Sequence, residues 1–168
     1  MYEAPNIISG AGVARQLKNL PGRVAVMTMD IPWKLLQEQS PWEPDHVHMV
    51  TDMDQETVEA LHDALPDFDV VVGVGGGSCC DTAKYLAWRR GCRMVLVPTI
   101  ISVDAPLTNT IAVRVDKTVE YVGNILPGEL LVDHDLVHHA PPELNAAGAD
   151  DIMHDMASLA VALRNNHS

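Results

Sequence analysis

Between Val70 and Lys84 the chain reads VVVGVGGGSCCDTAK: a valine-rich run, three consecutive glycines, a serine, and then apolar residues at helical spacing. Glycines lack a Cβ and let the backbone approach a ligand closely, so the N–H groups of Gly76, Gly77 and Ser78 can point at a phosphate on the positive end of the following helix dipole. The spacing fits neither GxGxxG nor GxxxxGKS/T, so the two common nucleotide fingerprints do not apply. The competing reading is a strand-to-helix turn that needs glycine for geometry alone.

Other residues offer weaker chemistry. Asp151, His154 and Asp155 are spaced i, i+3 and i+4, on one face of a helix, where a carboxylate with a histidine can hold a divalent ion. A solvated charged face is the plainer account. His138-His139 and His46-x-His48 read as surface histidines. Cys79 and Cys80 open the helix after the glycines, where a thiolate would be stabilised, but no histidine is placed to activate either, and small buried packing residues are the preferred reading.

The elements that must carry these residues follow from periodicity. Apolar runs over 24–29, 69–74, 93–97 and 129–132 read as buried strands. Stretches over 33–39, 55–65 and 81–90 carry apolar residues at helical spacing and read as crossover helices. Strand and helix in alternation imply an α/β fold, a Rossmann-like parallel sheet with helices on both faces and ligands bound beyond the carboxyl ends of the strands. Two β-branched runs, 111–115 and 118–122, flank Asp116-Lys117 and predict a β-hairpin. After the Pro141-Pro142 break a helical segment over 143–164, rich in Ala, Leu and Met, looks like the first helix of something larger.

With 11 Lys and Arg against 23 Asp and Glu in 168 residues, the net charge of −12 argues against nucleic acid or an anionic membrane as partner. Aromatic residues are only 4% of the chain, with a single Phe, so the core is expected from Val, Ile, Leu, Ala and Met. No apolar run approaches the ~20 residues that span a bilayer, no leader is evident, and three cysteines make an odd count. A reduced, cytoplasmic protein is expected.

GGGSCCDTAKYLA resembles the GGGSxxDxAKxxA signature of the superfamily that contains iron- or zinc-dependent alcohol dehydrogenases, glycerol dehydrogenase, glycerol-1-phosphate dehydrogenase and dehydroquinate synthase. VPTIISVDAP at 97–106 looks like the VPTxxSTDAP segment of the glycerol and glycerol-1-phosphate branch, and LVDHDLVHHAPPEL at 131–144, followed by Ala147-Gly148, continues the match. The resemblance runs from about Ile8 onward, with three motifs in order. It implies that Gly75, Gly76, Gly77 and Ser78 bind the NAD pyrophosphate, with Asp81 and Lys84 in the same signature. Thr99 and Ser102 would line the nicotinamide site, and Asp104 would contact a substrate hydroxyl. Asp30, after the first strong strand, sits where a carboxylate would bond an adenosine ribose and repel a 2′-phosphate, which favours NAD over NADP; an N-cap of the next helix is the alternative. The family's catalytic zinc or iron is held by an Asp, here Asp151, and by two histidines expected beyond Ser168. Asp150 stands where the family has a second glycine and adds a carboxylate beside that position.

The resemblance thus divides the chain into an NAD-binding α/β domain over 1–140 and the start of a truncated helical metal-binding domain over 141–168. The implied function is the nucleotide-binding part of an NAD- and metal-dependent dehydrogenase acting on the CH–OH group of glycerol, glycerol 1-phosphate or a similar small polyol, assembled as a homo-oligomer. The alternative is a non-catalytic NAD-binding fragment without a complete metal site. A phosphate ester would call for a basic side chain near the cleft, and Arg114 and Lys117 on the hairpin are the candidates.

Overall fold

The computed structural model describes residues 5–100 and 104–143. Strand β1 (Asn6–Gly10) leads through a 3-10 helix (Val13–Asn19) to β2 (Val24–Thr28), α1 (Asp30–Gln39), β3 (His46–Met49), α2 (Gln55–Ala64), β4 (Val70–Gly75), α3 (Gly77–Arg90) and β5 (Arg93–Pro98). A hairpin of β6 (Thr110–Val115) and β7 (Thr118–Asn124) follows, then β8 (Glu129–Asp133) and the short helix α4 (His134–His138). Six strands pair in parallel in the order β1-β8-β5-β4-β2-β3. The expected Rossmann-like α/β fold is the one observed.

Burial explains which strands the sequence declares. Every residue of β2 and β4 is buried, so these strands read as unbroken apolar runs; each buried Val contributes about 1.5–3 kcal/mol. The edge strands β1 and β3 have exposed and half-buried residues in turn. They carry too little apolar signal to read as buried strands: the sequence predicts no strand over β1, and around His46-x-His48 it offers only a short apolar run that fits a strand edge.

Two cores flank the sheet. Ala25, Met27 and Val71 pack with Val58 of α2, with Cys80, Ala83 and Leu86 of α3, and with Ile111 and Val113 of the hairpin. On the opposite face Val26, Val72 and Val74 pack with Leu17 of the 3-10 helix, Leu36 of α1 and Leu136 of α4. Helices therefore cover both faces. Residues Cys79 to Ala87 of α3 are all buried, because α3 lies between sheet and hairpin. That is why α3 starts four residues ahead of the predicted 81: its first turn offers no contrast between an apolar and a polar face. No helix among the described residues is long and apolar enough to cross a membrane.

The hairpin forms as expected, with Asp116 (φ 49°) and Lys117 (φ 66°) both in the left-handed region at the turn. Beyond Glu143 the predicted C-terminal helix lies outside the described residues.

Candidate functional site

Neighbouring strands β2 and β4 send their chains to opposite faces of the sheet: β2 runs into α1 on one, β4 into α3 on the other. A crevice therefore opens beyond their carboxyl ends, between the N-termini of α1 and α3, as such a topological switch point requires. The hydroxyl of Thr28, at the end of β2, donates to the Val74 carbonyl at 2.9 Å and ties the two strands together at this point.

The glycine turn fills the crevice floor. Gly75 has φ +146°, and a Cβ there would lie 2.6 Å from Cys79 Sγ; at Gly76 it would lie 2.8 Å from Ile100 Cδ1. Helix α3 begins at Gly77 with Gly76 as N-cap, and no side chain caps it. Its first backbone bond is Cys80 N–H to the Gly76 carbonyl at 3.1 Å. The N–H groups of Gly77, Ser78 and Cys79 thus have no carbonyl of their own helix to meet and sit at the positive end of its dipole. The Gly76 and Cys79 N–H groups both lie against the Cys79 thiol, so of the expected donors only those of Gly77 and Ser78 remain, and both residues line the cleft beside the turn. The N–H groups of Gly77 and Ser78, at a turn with no room for a Cβ on Gly75 or Gly76, suit a phosphate or diphosphate.

Burial pushes the Cys79 thiol up to about 12, and Cys80, wholly buried, is raised further. Both are packing residues, as the sequence suggested; desolvation outweighs the helix dipole.

Of the predicted site residues, Gly77, Ser78, Asp81 and Asp104 line one cleft of about 340 Å³ between the start of α3 and the hairpin. Thr99 is buried behind the turn, its N–H bonded to the Gly75 carbonyl at 3.0 Å. Asp30 is exposed on the other side of the glycines, in a hollow of about 380 Å³ shared with Pro32, Met49 and Thr51. Pro32 joins the two regions, its Cγ 3.5 Å from where a Gly75 Cβ would stand. Met29, not Asp30, is the N-cap of α1, which removes the capping explanation for that carboxylate. Ser102 and Asp151 lie outside the described residues, as do Asp150, His154 and Asp155. Among the described residues no three His, Cys, Asp or Glu side chains converge on a metal position.

Asp81 is also part of a buried pair. Lys84 Nζ lies 3.4 Å from Asp81 Oδ1, with the lysine side chain fully buried and the aspartate 12% exposed. Burial, partly offset by the Lys84 ammonium, holds the Asp81 carboxyl above the usual carboxylate range, and Asp104 adds to the rise. Sequence reasoning missed Thr108, Thr110 and Tyr121, which also line the cleft. Nothing in their types marks them, since only the hairpin's docking brings them there. Arg114 reaches the same cleft, while Lys117 lies in a separate hollow beside α2.

A family model for iron-containing alcohol dehydrogenases matches residues 25–141. The chain is 28% identical over 166 residues to a glycerol-1-phosphate dehydrogenase (NAD(P)+) of Methanothermobacter thermautotrophicus, covering 95% of this chain and 48% of that protein. It is 38% identical over 89 residues to a glycerol dehydrogenase of Thermotoga maritima, covering 51% of this chain and 24% of that protein. Among solved structures, a probable glycerol dehydrogenase from Sinorhizobium meliloti 1021 superposes with a TM-score of 0.77 at 28% identity, over 88% of this chain and 44% of that one. The chain spans about half the length of the curated relative it matches end to end. With the matched span running from β2 through the glycine turn and hairpin to β8 and α4, the chain belongs to the iron-containing alcohol dehydrogenase family.

Proposed function

We propose that this chain is the nucleotide-binding part of an NAD-dependent, metal-dependent oxidoreductase acting on the CH–OH group of glycerol or glycerol 1-phosphate. The observation that carries the reading is the uncapped first turn of α3, whose Gly77 and Ser78 line a cleft with Asp104. In this reading the dinucleotide lies across the crevice: adenosine ribose at Asp30, diphosphate over Gly75, Gly76, Gly77 and Ser78, and nicotinamide riboside toward Asp81, Thr99, Ser102 and Asp104. Bound NAD would supply a hydride acceptor. Asp104 accepts a hydrogen bond from a substrate hydroxyl and orients the carbinol carbon, while the hairpin wall keeps water from one side of the cleft. Arg114 in the same cleft supports a phosphorylated polyol as well as glycerol. Asp151 is assigned as a ligand of a zinc or iron ion by resemblance alone, as are the division at 140/141 and homo-oligomeric assembly.

The test is calorimetric titration of the chain with NAD and NADP. NAD is expected to bind. Gly76→Val, which puts a side chain against Ile100 and into the diphosphate position, is expected to weaken binding by about a hundredfold, roughly two charge-assisted hydrogen bonds. Asp30→Ser is expected to bring NADP within about tenfold of NAD by removing one like charge from the 2′-phosphate. A chain that binds neither nucleotide overturns the reading.

A further inference from the structure

A lysine lies buried beneath the cleft, and the chemistry proposed above does not use it. The Lys84 side chain is fully buried, and its ammonium donates to Asp81 Oδ1 at 3.4 Å, to Thr108 Oγ1 at 3.4 Å and to the Thr110 carbonyl at 3.0 Å. Asp81 accepts in turn from the Ala112 N–H. One further turn along the helix, the Trp88 ring lies against Gly123, where a Cβ would come within 2.8 Å of Cε2. Asp81, Lys84 and Trp88, at i, i+3 and i+7, form one face of α3, and that face holds the chain from Thr108 to Gly123.

The chemistry of an ammonium makes this more than ordinary packing. A buried cation without its oxygen partners is very costly, so Lys84 favours the one placement of Thr108 and Thr110 that satisfies it. Thr108 is bound into the turn begun by Asp104, whose carbonyl accepts from the Leu107 and Thr108 N–H groups at 2.7 and 3.1 Å. Fixing Thr108 therefore fixes Asp104 relative to Ser78 on the opposite wall.

We propose that Lys84 is a positioning residue: by holding Thr108 and Thr110 against α3 it sets the separation of the Ser78 turn and Asp104, and so the affinity of the cleft for the nicotinamide half of the dinucleotide. The inference rests on the dinucleotide reading of the cleft given above.

The test combines hydrogen exchange with binding of NAD and of ADP, which lacks the nicotinamide riboside. Lys84→Met retains the bulk of the aliphatic stem and removes the ammonium; Lys84→Gln retains a donor and provides a milder variant if the first does not fold. In Lys84→Met, exchange over residues 107–113 is expected to accelerate while residues 70–74 stay protected. NAD affinity is expected to fall about tenfold, the loss of one hydrogen bond to a charged group, with ADP affinity changed by less than about twofold. Lys84→Gln is expected to recover part of the NAD loss. The proposal is overturned if either folded variant exchanges and binds NAD like the unaltered chain, or if NAD and ADP weaken equally, as general destabilisation would produce. An unaltered chain that fails to bind NAD overturns the dinucleotide reading instead, and the exchange measurement, which needs no ligand, still decides whether Lys84 holds the segment.

Discussion

At Cys79 two physical effects compete, and the structure shows which one wins. A thiol at the first turn of a helix gains from the dipole by about 1 kcal/mol or less, whereas burial against Gly75 moves its ionisation from 9.0 to about 12, roughly 4 kcal/mol. The native thiol therefore resists ionisation while the unfolded one does not. The stability this confers is present in full below pH 9 and is lost as the pH rises through about 12. Chemical-denaturation midpoints measured between pH 8 and 10.5 are expected to fall, with a shallower fall in Cys79→Ala; equal slopes would contradict the burial. Cys79 and Cys80, both fully buried, are likewise expected to resist alkylation in the native state. At this scale much of the site was legible. Three glycines and a serine between a valine run and a helix are unusual enough in type to suggest the phosphate turn. Which N–H groups face outward was not, because that depends on α3 starting at Gly77, and the GSCC stretch that opens it carries no periodic signal.

The hairpin is the element whose local chemistry sits least comfortably with its shape. Asp116 and Lys117 both occupy the left-handed region, the backbone of a type I′ turn, for which Asn-Gly is the preferred pair. Replacing them with Asn and Gly is expected to stabilise the chain by about 1 kcal/mol, read as a higher thermal midpoint with NAD binding unchanged, since the turn is outside the cleft. A loss of stability would indicate that the two side chains contribute contacts of their own. The strands on either side were predictable because β-branched residues flank a polar pair. Their docking onto α3 was not, since it depends on Lys84 and Trp88 meeting residues more than twenty positions away. The same limit applies to β3, where two histidines in HVHM disguise a strand half-covered by the sheet.

Across the whole molecule, the central strands β2, β4, β5 and β8 were readable as apolar runs because both cores press on them, and their alternation with helices indicated a parallel sheet. Strand order follows from that alternation only in part. The placement of β1 beside β8 is a pairing between the two ends of the described chain, with Asn6 opposite Glu129 and Gly10 opposite Asp133. It is reinforced by the buried Asp133 carboxylate, which accepts the Gly12 N–H at 3.1 Å and the Ala14 N–H at 2.8 Å. A contact across this much sequence requires closing a long loop before pairing can offset the cost, and is expected to form late. Strand β1 is thus expected to show the fastest amide exchange of the six strands, and deletion of residues 1–11 to leave β2, β4 and β5 folded. Rapid exchange at β4 in that deletion would show instead that the sheet closes as a single unit. In a nascent chain, β8 and its Asp133 emerge more than a hundred residues after β1, so the first strand made is the last placed. Until then β8 presents an open apolar edge, and during synthesis that edge is where two copies of this chain could wrongly pair.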